Sequence, residues 1–221
     1  MTLEEKKYLS MSISAPILHQ GRAITLRRTI PDDAALLYEQ MYCNAEFMGL
    51  FRLNDLVANE EELRERLVKR WEVSPIKSGY LEMLILHKHH GAIGIIAAAD
   101  YIPLHQRAEF LIGLFNPKYY YAGYSIEACL MLGDLVFNQY KLHRLYAYAY
   151  DYNHLAQKAL TSGGFMVEGV MKEHLFDQQK EQFVDLHIFG MTVQQFRQNR
   201  RIAKLSRRLI GRDITDGENH S

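Results

Sequence analysis

Four words decide the fold: AEFLIGLFNP (residues 108–117), YYYAGYSIEA (119–128), LHRLYAYAYDYN (142–153) and GGFMVEGVMKE (163–173). Residues 109–115 are an apolar run closed by Asn116-Pro117 and read as a strand. Gly123 marks a turn. Beyond it, Ile126, Leu130, Leu132 and Val136 recur at the spacing of a helix packed on a sheet. Residues 142–150 return to a period of two, which puts Tyr146, Tyr148, Tyr150 and Tyr152 on one face and Leu145, Ala147 and Ala149 on the other. Residues 153–161 read as a short helix. Gly164-Phe165 then leads into a further strand over residues 165–170.

Working outward, residues 23–30 alternate as a first strand, and Pro31-Asp32-Asp33 starts a helix with acidic residues in its first turn. Leu63, Leu67 and Trp71 give an amphipathic helix over residues 60–71. Residues 80–87 and 91–101 are apolar runs joined by Lys88-His89-His90-Gly91, a hairpin signal. A last strand is expected over residues 183–189 and a last helix over 194–210. The order is that of a mixed α/β sheet with no internal repeat. Residues 1–20 lack periodicity and read as an N-terminal extension, residues 21–191 as one domain, and residues 192–221 as a basic helix with an acidic tail.

Composition agrees. A chain of 221 residues with 48% apolar and 24% charged residues buries a sizeable core without a metal staple. Its formal net charge is zero, so any attraction to nucleic acid, an anionic surface or an acidic protein must be local. Cys43 and Cys129 lie far apart without metal-ligand spacing, which favours reduced thiols and a cytoplasmic setting. Glu4 and Glu5 argue against a signal peptide. No run of about 18 apolar residues suggests a membrane span. His87, His89 and His90 share a turn without acidic or cysteine ligands and read as solvated rather than metal-binding.

The four words together resemble the acyl-CoA-binding core of the GNAT N-acetyltransferase superfamily, in particular the branch of ribosomal-protein N-terminal and diamine acetyltransferases. Spacing carries the resemblance: Arg144 lies nine residues before Asn153 and Phe165 twelve after it, with Asp185 before the last apolar strand. It implies a mixed, mostly antiparallel twisted sheet flanked by helices and splayed between the two strands that hold acyl-CoA. It also implies transfer of an acyl group, acetyl by default, from acyl-CoA to a primary amine in a ternary complex, with no metal. The acceptor would be a small molecule or a protein N-terminus, and the enzyme a monomer or homodimer. A longer acyl chain, delivered by CoA or an acyl carrier protein, is a rival. A catalytically silent binding module is another.

By the same resemblance, phosphates lie on the turn at Tyr121, Ala122, Gly123, Tyr124 and Ser125, where backbone N–H groups lead into a helix N-terminus. Gly123 matches the family pattern outright and Ser125 is a suitably small residue, whereas Tyr120 and Tyr121 depart from it. Leu111, Ile112 and Gly113 would carry a bulge that aims an N–H at the thioester carbonyl. Asn153 would touch the cofactor, although an N-cap is all that asparagine needs there. Glu109 is the candidate base, set against an exposed strand-end glutamate, with Glu168 in a structural or orienting part. Ala156 and Leu160 stand where relatives keep an acid, leaving Tyr152, Tyr150 or water as proton donor. The tyrosine face suits either a groove wall or plain sheet core. Arg197, Arg200, Arg201, Lys204, Arg207, Arg208 and Arg212 form a basic run that would meet an acyl carrier protein, RNA or the ribosome, or would simply be solvated.

Overall fold

The computed structural model describes residues 15–217. Eight strands form one sheet in the order β1-β2-β3-β4-β5-β6-β8-β7: β1 Ile17–Gln20, β2 Ile24–Arg28, β3 Leu81–His87, β4 Gly91–Ile102, β5 Arg107–Leu114, β6 Arg144–Tyr150, β7 Met166–Asp177 and β8 Gln182–Thr192. Neighbours run antiparallel except β5 and β6, which run parallel. The helices are α1 Ala34–Leu37, α2 Ala45–Phe51, α3 Glu60–Trp71, α4 Pro75–Ser78, α5 Tyr124–Asp134, α6 His154–Ser162, α7 Val193–Gln198 and α8 Arg200–Leu209. Wider π-type turns, Tyr38–Tyr42 and Leu135–Gln139, continue α1 and α5.

Side-chain alternation divides the core into two layers. On β3, Met83 and Ile85 enter the larger cluster with Met131 and Leu132 of α5 and Phe196 of α7. Leu84, between them, enters the smaller cluster with Leu37, Phe47, Leu63 and Leu67 from α1 to α3. A strand covered on both faces needs an unbroken apolar run, as residues 83–86 supply. Each such side chain contributes roughly 1.5–3 kcal/mol on burial. Helix α3 matches its expected limits because its ends are marked: the Asn59 side chain accepts from Glu62 N–H at 2.9 Å, three glutamates open it, and Lys69 and Arg70 close it.

Three elements differ from expectation. Residues 17–20, read with the extension, form edge strand β1 on β2; four residues are too few to show a period, and the partner strand decides. Residues 1–14 of that extension and residues 218–221 of the acidic tail lie outside the described residues. The last helix is two, because Asn199 turns its carboxamide to the N–H groups of Arg201 and Ile202 at 3.0 and 3.1 Å and starts α8 afresh. Strand β7 runs well past its expected end, carried by pairing with β8 and not by a buried stripe, and β8 extends to Thr192 because its last residues pair with β6.

A buried polar network ties both ends of the described chain to α5. Asp134 is fully buried and meets His19 Nε2 at 2.6 Å, Asn138 Nδ2 at 2.6 Å and the Arg212 guanidinium. Asn138 also donates to the Ile214 carbonyl at 2.8 Å.

Candidate active site

Strands β5 and β6 pair only through Arg107 with Arg144, Ala108 with Leu145, and Glu109 with Tyr146. They then part. β5 continues along β4 to Leu114, and β6 along β8 to the Tyr150–Leu186 pair. Each therefore turns an edge of backbone N–H and C=O groups toward the wedge between them. This is the splay that the resemblance implied.

The mouth of the wedge leads to the N-terminus of α5. Gly123 is its N-cap, at φ +84°, a left-handed conformation that glycine adopts without cost. A glycine cap has no side chain to satisfy the first N–H groups of the helix, so the donors of Tyr124, Ser125 and Ile126 remain for solvent or an anion. Around it, Tyr121 is 88% exposed, Ala122 N–H bonds the Tyr119 carbonyl at 3.3 Å, and Tyr124 packs on the His87 ring at 4.7 Å. His87 also stacks on His90 at 4.5 Å, its pKa lowered by burial and by the nearness of His90, His89 and Lys88. Among the described residues no group of His, Cys, Asp or Glu could hold a metal ion.

The bulge expected near residues 111–114 is elsewhere. Pairing with β4 is regular from Gly94–Leu114 to Ala99–Glu109, and the register shifts between Ala99 and Ile102 on β4. There Asp100 takes φ +47°. Gly113 answers a packing need instead: a Cβ on it would come within 2.5 Å of the Phe47 ring. Leu111 is buried beside it.

Glu109 closes the parallel junction and faces a cleft of about 1000 Å³ that Arg52, Tyr80, Asp100, Tyr146 and Tyr148 also line. Its side chain is only 14% exposed. Burial raises its pKa, Asp100 adds to the rise, and Arg52 opposes it from an Nη2–Oε2 distance of 3.1 Å. Asp100 accepts from the Tyr146 hydroxyl at 2.5 Å and lies 3.7 Å from Arg107. The two faces of β6 thus differ: Tyr146 and Tyr148 line the cleft, while Leu145, Ala147 and Ala149 on the other face fill the core.

Farther along β6 the polar groups are engaged within the protein. Tyr150 accepts from Leu53 N–H at 2.7 Å, and Tyr152 donates to the Gly49 carbonyl at 2.7 Å. Burial raises the phenol pKa of both. Asn153 accepts from Ala156 N–H at 3.1 Å, the N-cap bond, and donates to the Leu50 carbonyl at 3.3 Å. Arg144 and Glu168 form a two-pronged ion pair, one contact at 2.8 Å. Asp185 accepts from Lys172 at 2.7 Å and from Glu173 N–H at 2.8 Å. Burial pushes the Cys129 thiol up to about 12, which leaves it inert at neutral pH.

On α8 the cations share one face. Arg207 pairs with Asp213 at 2.6 Å and Arg212 with Asp134. Arg200, Arg201, Lys204 and Arg208 are exposed, and no ion pair involves them among the described residues.

The site thus combines a sheet parted at its parallel junction, a glycine-capped helix and a desolvated carboxylate. Residues 23–166 match the family model described as acetyltransferase (GNAT) domain. The chain belongs to the GNAT acetyltransferase family, whose members are acyltransferases. Ribosomal-protein-S5-alanine acetyltransferase from Vibrio fischeri superposes with a TM-score of 0.69 at 19% identity, covering 78% of this chain and 94% of that one. Spermidine N-acetyltransferase from Vibrio cholerae, solved in complex with CoA and spermine, gives 0.68 at 19% identity over 77% and 95% of the two chains. At that identity the likeness is one of fold. No curated protein matches the chain. Among the described residues no helix is long and apolar enough to cross a membrane.

Proposed function

We propose that the protein moves the acetyl group of acetyl-CoA directly to a primary amine bound in the cleft above Glu109. One observation carries the reading: Glu109, desolvated and at the last paired rung of β5 and β6, opens on the cleft where the two strands part. The Tyr124, Ser125 and Ile126 N–H groups would hold the pyrophosphate, and the facing edges of β5 and β6 the pantetheine arm. Of Leu111, Ile112 and Gly113, which pair regularly with β4 on one edge, those whose N–H faces the β6 side would offer the thioester carbonyl a backbone donor.

Glu109 takes a proton from the ammonium, directly or through water, and a raised pKa suits it to that task at neutral pH. The free amine attacks the thioester carbonyl; the C–N bond forms, an oxyanion develops beside the β5 edge, and the C–S bond breaks as it collapses. The nitrogen gives up its second proton and the sulfur leaves as CoA thiol or thiolate, whose pKa near 8.5 makes a dedicated acid dispensable. The role read for Tyr152 is therefore not retained, its hydroxyl being committed to the Gly49 carbonyl.

A cleft of about 1000 Å³ suits a small amine or the first residues of a peptide. The solved neighbours bear on this through their names alone, one for spermidine and one for the alanine of a ribosomal protein. Arg200, Arg201, Lys204 and Arg208 give an acidic carrier or RNA a place to dock, and the cytoplasm is the compartment that fits both donor and thiols. The test is release of free CoA from acetyl-CoA with a panel of polyamines and alanine-leading peptides, alongside direct titration of CoA. Tight CoA binding with no transfer to any amine would turn the reading toward a silent module.

A further inference from the structure

The last turn of α2 and the residues that follow it, 49–54 together, cross from β5 to the far end of β6. On the β5 side, the Phe47 and Phe51 rings pack over Gly113. On the β6 side, Gly49 and Leu50 offer their carbonyls to Tyr152 and Asn153, and Leu53 gives its N–H to Tyr150. Asn54 then bonds the Phe176 carbonyl at 2.8 Å. The segment is a strap over the wedge. From its middle, Arg52 reaches down to Glu109 at 3.1 Å, and its Nε is enclosed without a partner. The bond to Glu109 is the one side-chain hydrogen bond Arg52 makes among the described residues, so the backbone that carries it sets its position. The strap holds it.

We infer that Arg52 is a positioning residue that keeps Glu109 ionised and fixed at the strand junction, and that Tyr150, Tyr152 and Asn153 serve it by tying down the strap. The inference rests on the reading of Glu109 as the base. A protonated carboxyl cannot accept a proton, and two influences push Glu109 that way: its own burial, and Asp100 across on β4. The groups that face this region are Arg52 from the strap, Asp100 from β4, Arg107 on β5, the phenols Tyr80, Tyr146, Tyr148 and Tyr150, and Arg70 and Lys77 on the cleft wall, of which Arg70 pairs with Glu82. Arg107 lies against Asp100 and over the Tyr146 ring. Arg52 is therefore the cation that meets the Glu109 carboxylate itself. Without it, burial and Asp100 act in one direction, Glu109 protonates at higher pH, and the base is lost over the lower part of the working range.

The test does not require the acceptor to be known. Glutamate carboxyl carbons are labelled with ¹³C and titrated by NMR in the full chain, with the Glu109 signal assigned by its loss in Glu109→Gln. Arg52→Gln is expected to raise the Glu109 midpoint by about one pH unit or more, the usual effect of a neighbouring arginine, and Arg52→Lys to restore most of the difference. Tyr150→Phe, which removes only the acceptor of the Leu53 N–H, should raise the midpoint by less and stands in if Arg52→Gln fails to fold. An unmoved midpoint in Arg52→Gln, or in Tyr150→Phe where that variant stands in, overturns the inference. The base reading fails separately, if Glu109→Gln retains full turnover.

Discussion

Two carboxylates on opposite faces of the sheet, Asp134 fully buried and Glu109 partly so, are treated in opposite ways. Asp134 is surrounded by His19, Asn138 and Arg212; burial pushes its carboxyl up, but these partners outweigh it and the pKa is lowered. Glu109 has one cation, a like charge nearby and a raised pKa. Asp134 sits inside the molecule between elements that it joins, whereas Glu109 faces a cleft. A buried charge surrounded by several compensating partners is part of the scaffold. One with a single cation at an opening is where chemistry is to be sought.

The sharpest way to break the contrast is to remove each carboxylate. Glu109→Gln keeps size and hydrogen bonding, so turnover should fall by about 10² to 10⁴-fold while thermal stability and acyl-CoA affinity barely change. Asp134→Ala should do the reverse. It leaves His19 and Arg212 without their shared partner, and denaturant titration should show a loss of about 3–5 kcal/mol, with turnover per folded molecule retained. Equal behaviour of the two variants in either assay would dissolve the distinction.

Acid should sharpen it further. A carboxyl whose folded pKa is lowered contributes stability that is present above its unfolded value and lost as the pH falls through the folded value. The wild type should therefore lose more stability than an Asp134→Asn variant between about pH 5 and pH 2. Parallel curves would mean that the network does not titrate as its geometry implies.

Smaller effects are expected at the mouth of the wedge. Gly123→Val meets no neighbour within 4 Å, so the protein should fold. A β-branched residue resists the left-handed conformation by about 1–2 kcal/mol, and the turn should relax and weaken CoA binding by about tenfold. Unchanged affinity in calorimetry would remove this turn from the site. Asn153→Asp keeps the helix cap but loses the bond to Leu50, at a cost below about 1 kcal/mol. A markedly raised Michaelis constant for acetyl-CoA, absent in Tyr152→Phe, would show that Asn153 touches the cofactor as well as the strap.

Much of the scaffold was legible because it is local. The tyrosine alternation in residues 144–150 and the capped ends of α3 are written in single elements. Glu109 is a candidate through the family counterpart of the strand that carries it. Asp100 had a readable signal, a lone acid in the apolar run of β4, whose meaning depended on a bulge that only pairing with β5 reveals. Arg52 had none: 57 residues separate it from Glu109, and the two meet because a strap is tied by hydroxyls on a third element. Asn153 shows the converse, where a motif position kept its cap and its amide turned to the strap.

The proposed reaction turns on Glu109 removing the acceptor's proton at the point where β5 and β6 part. The most direct measurement is the pH dependence of turnover in wild type and Glu109→Gln, at saturating acetyl-CoA and with an amine that the wild type acetylates. The acidic limb of the wild-type profile should report Glu109, at a pH above the ordinary glutamate range, and should vanish in the variant as turnover collapses. A variant that keeps both its rate and its acidic limb would contradict the account.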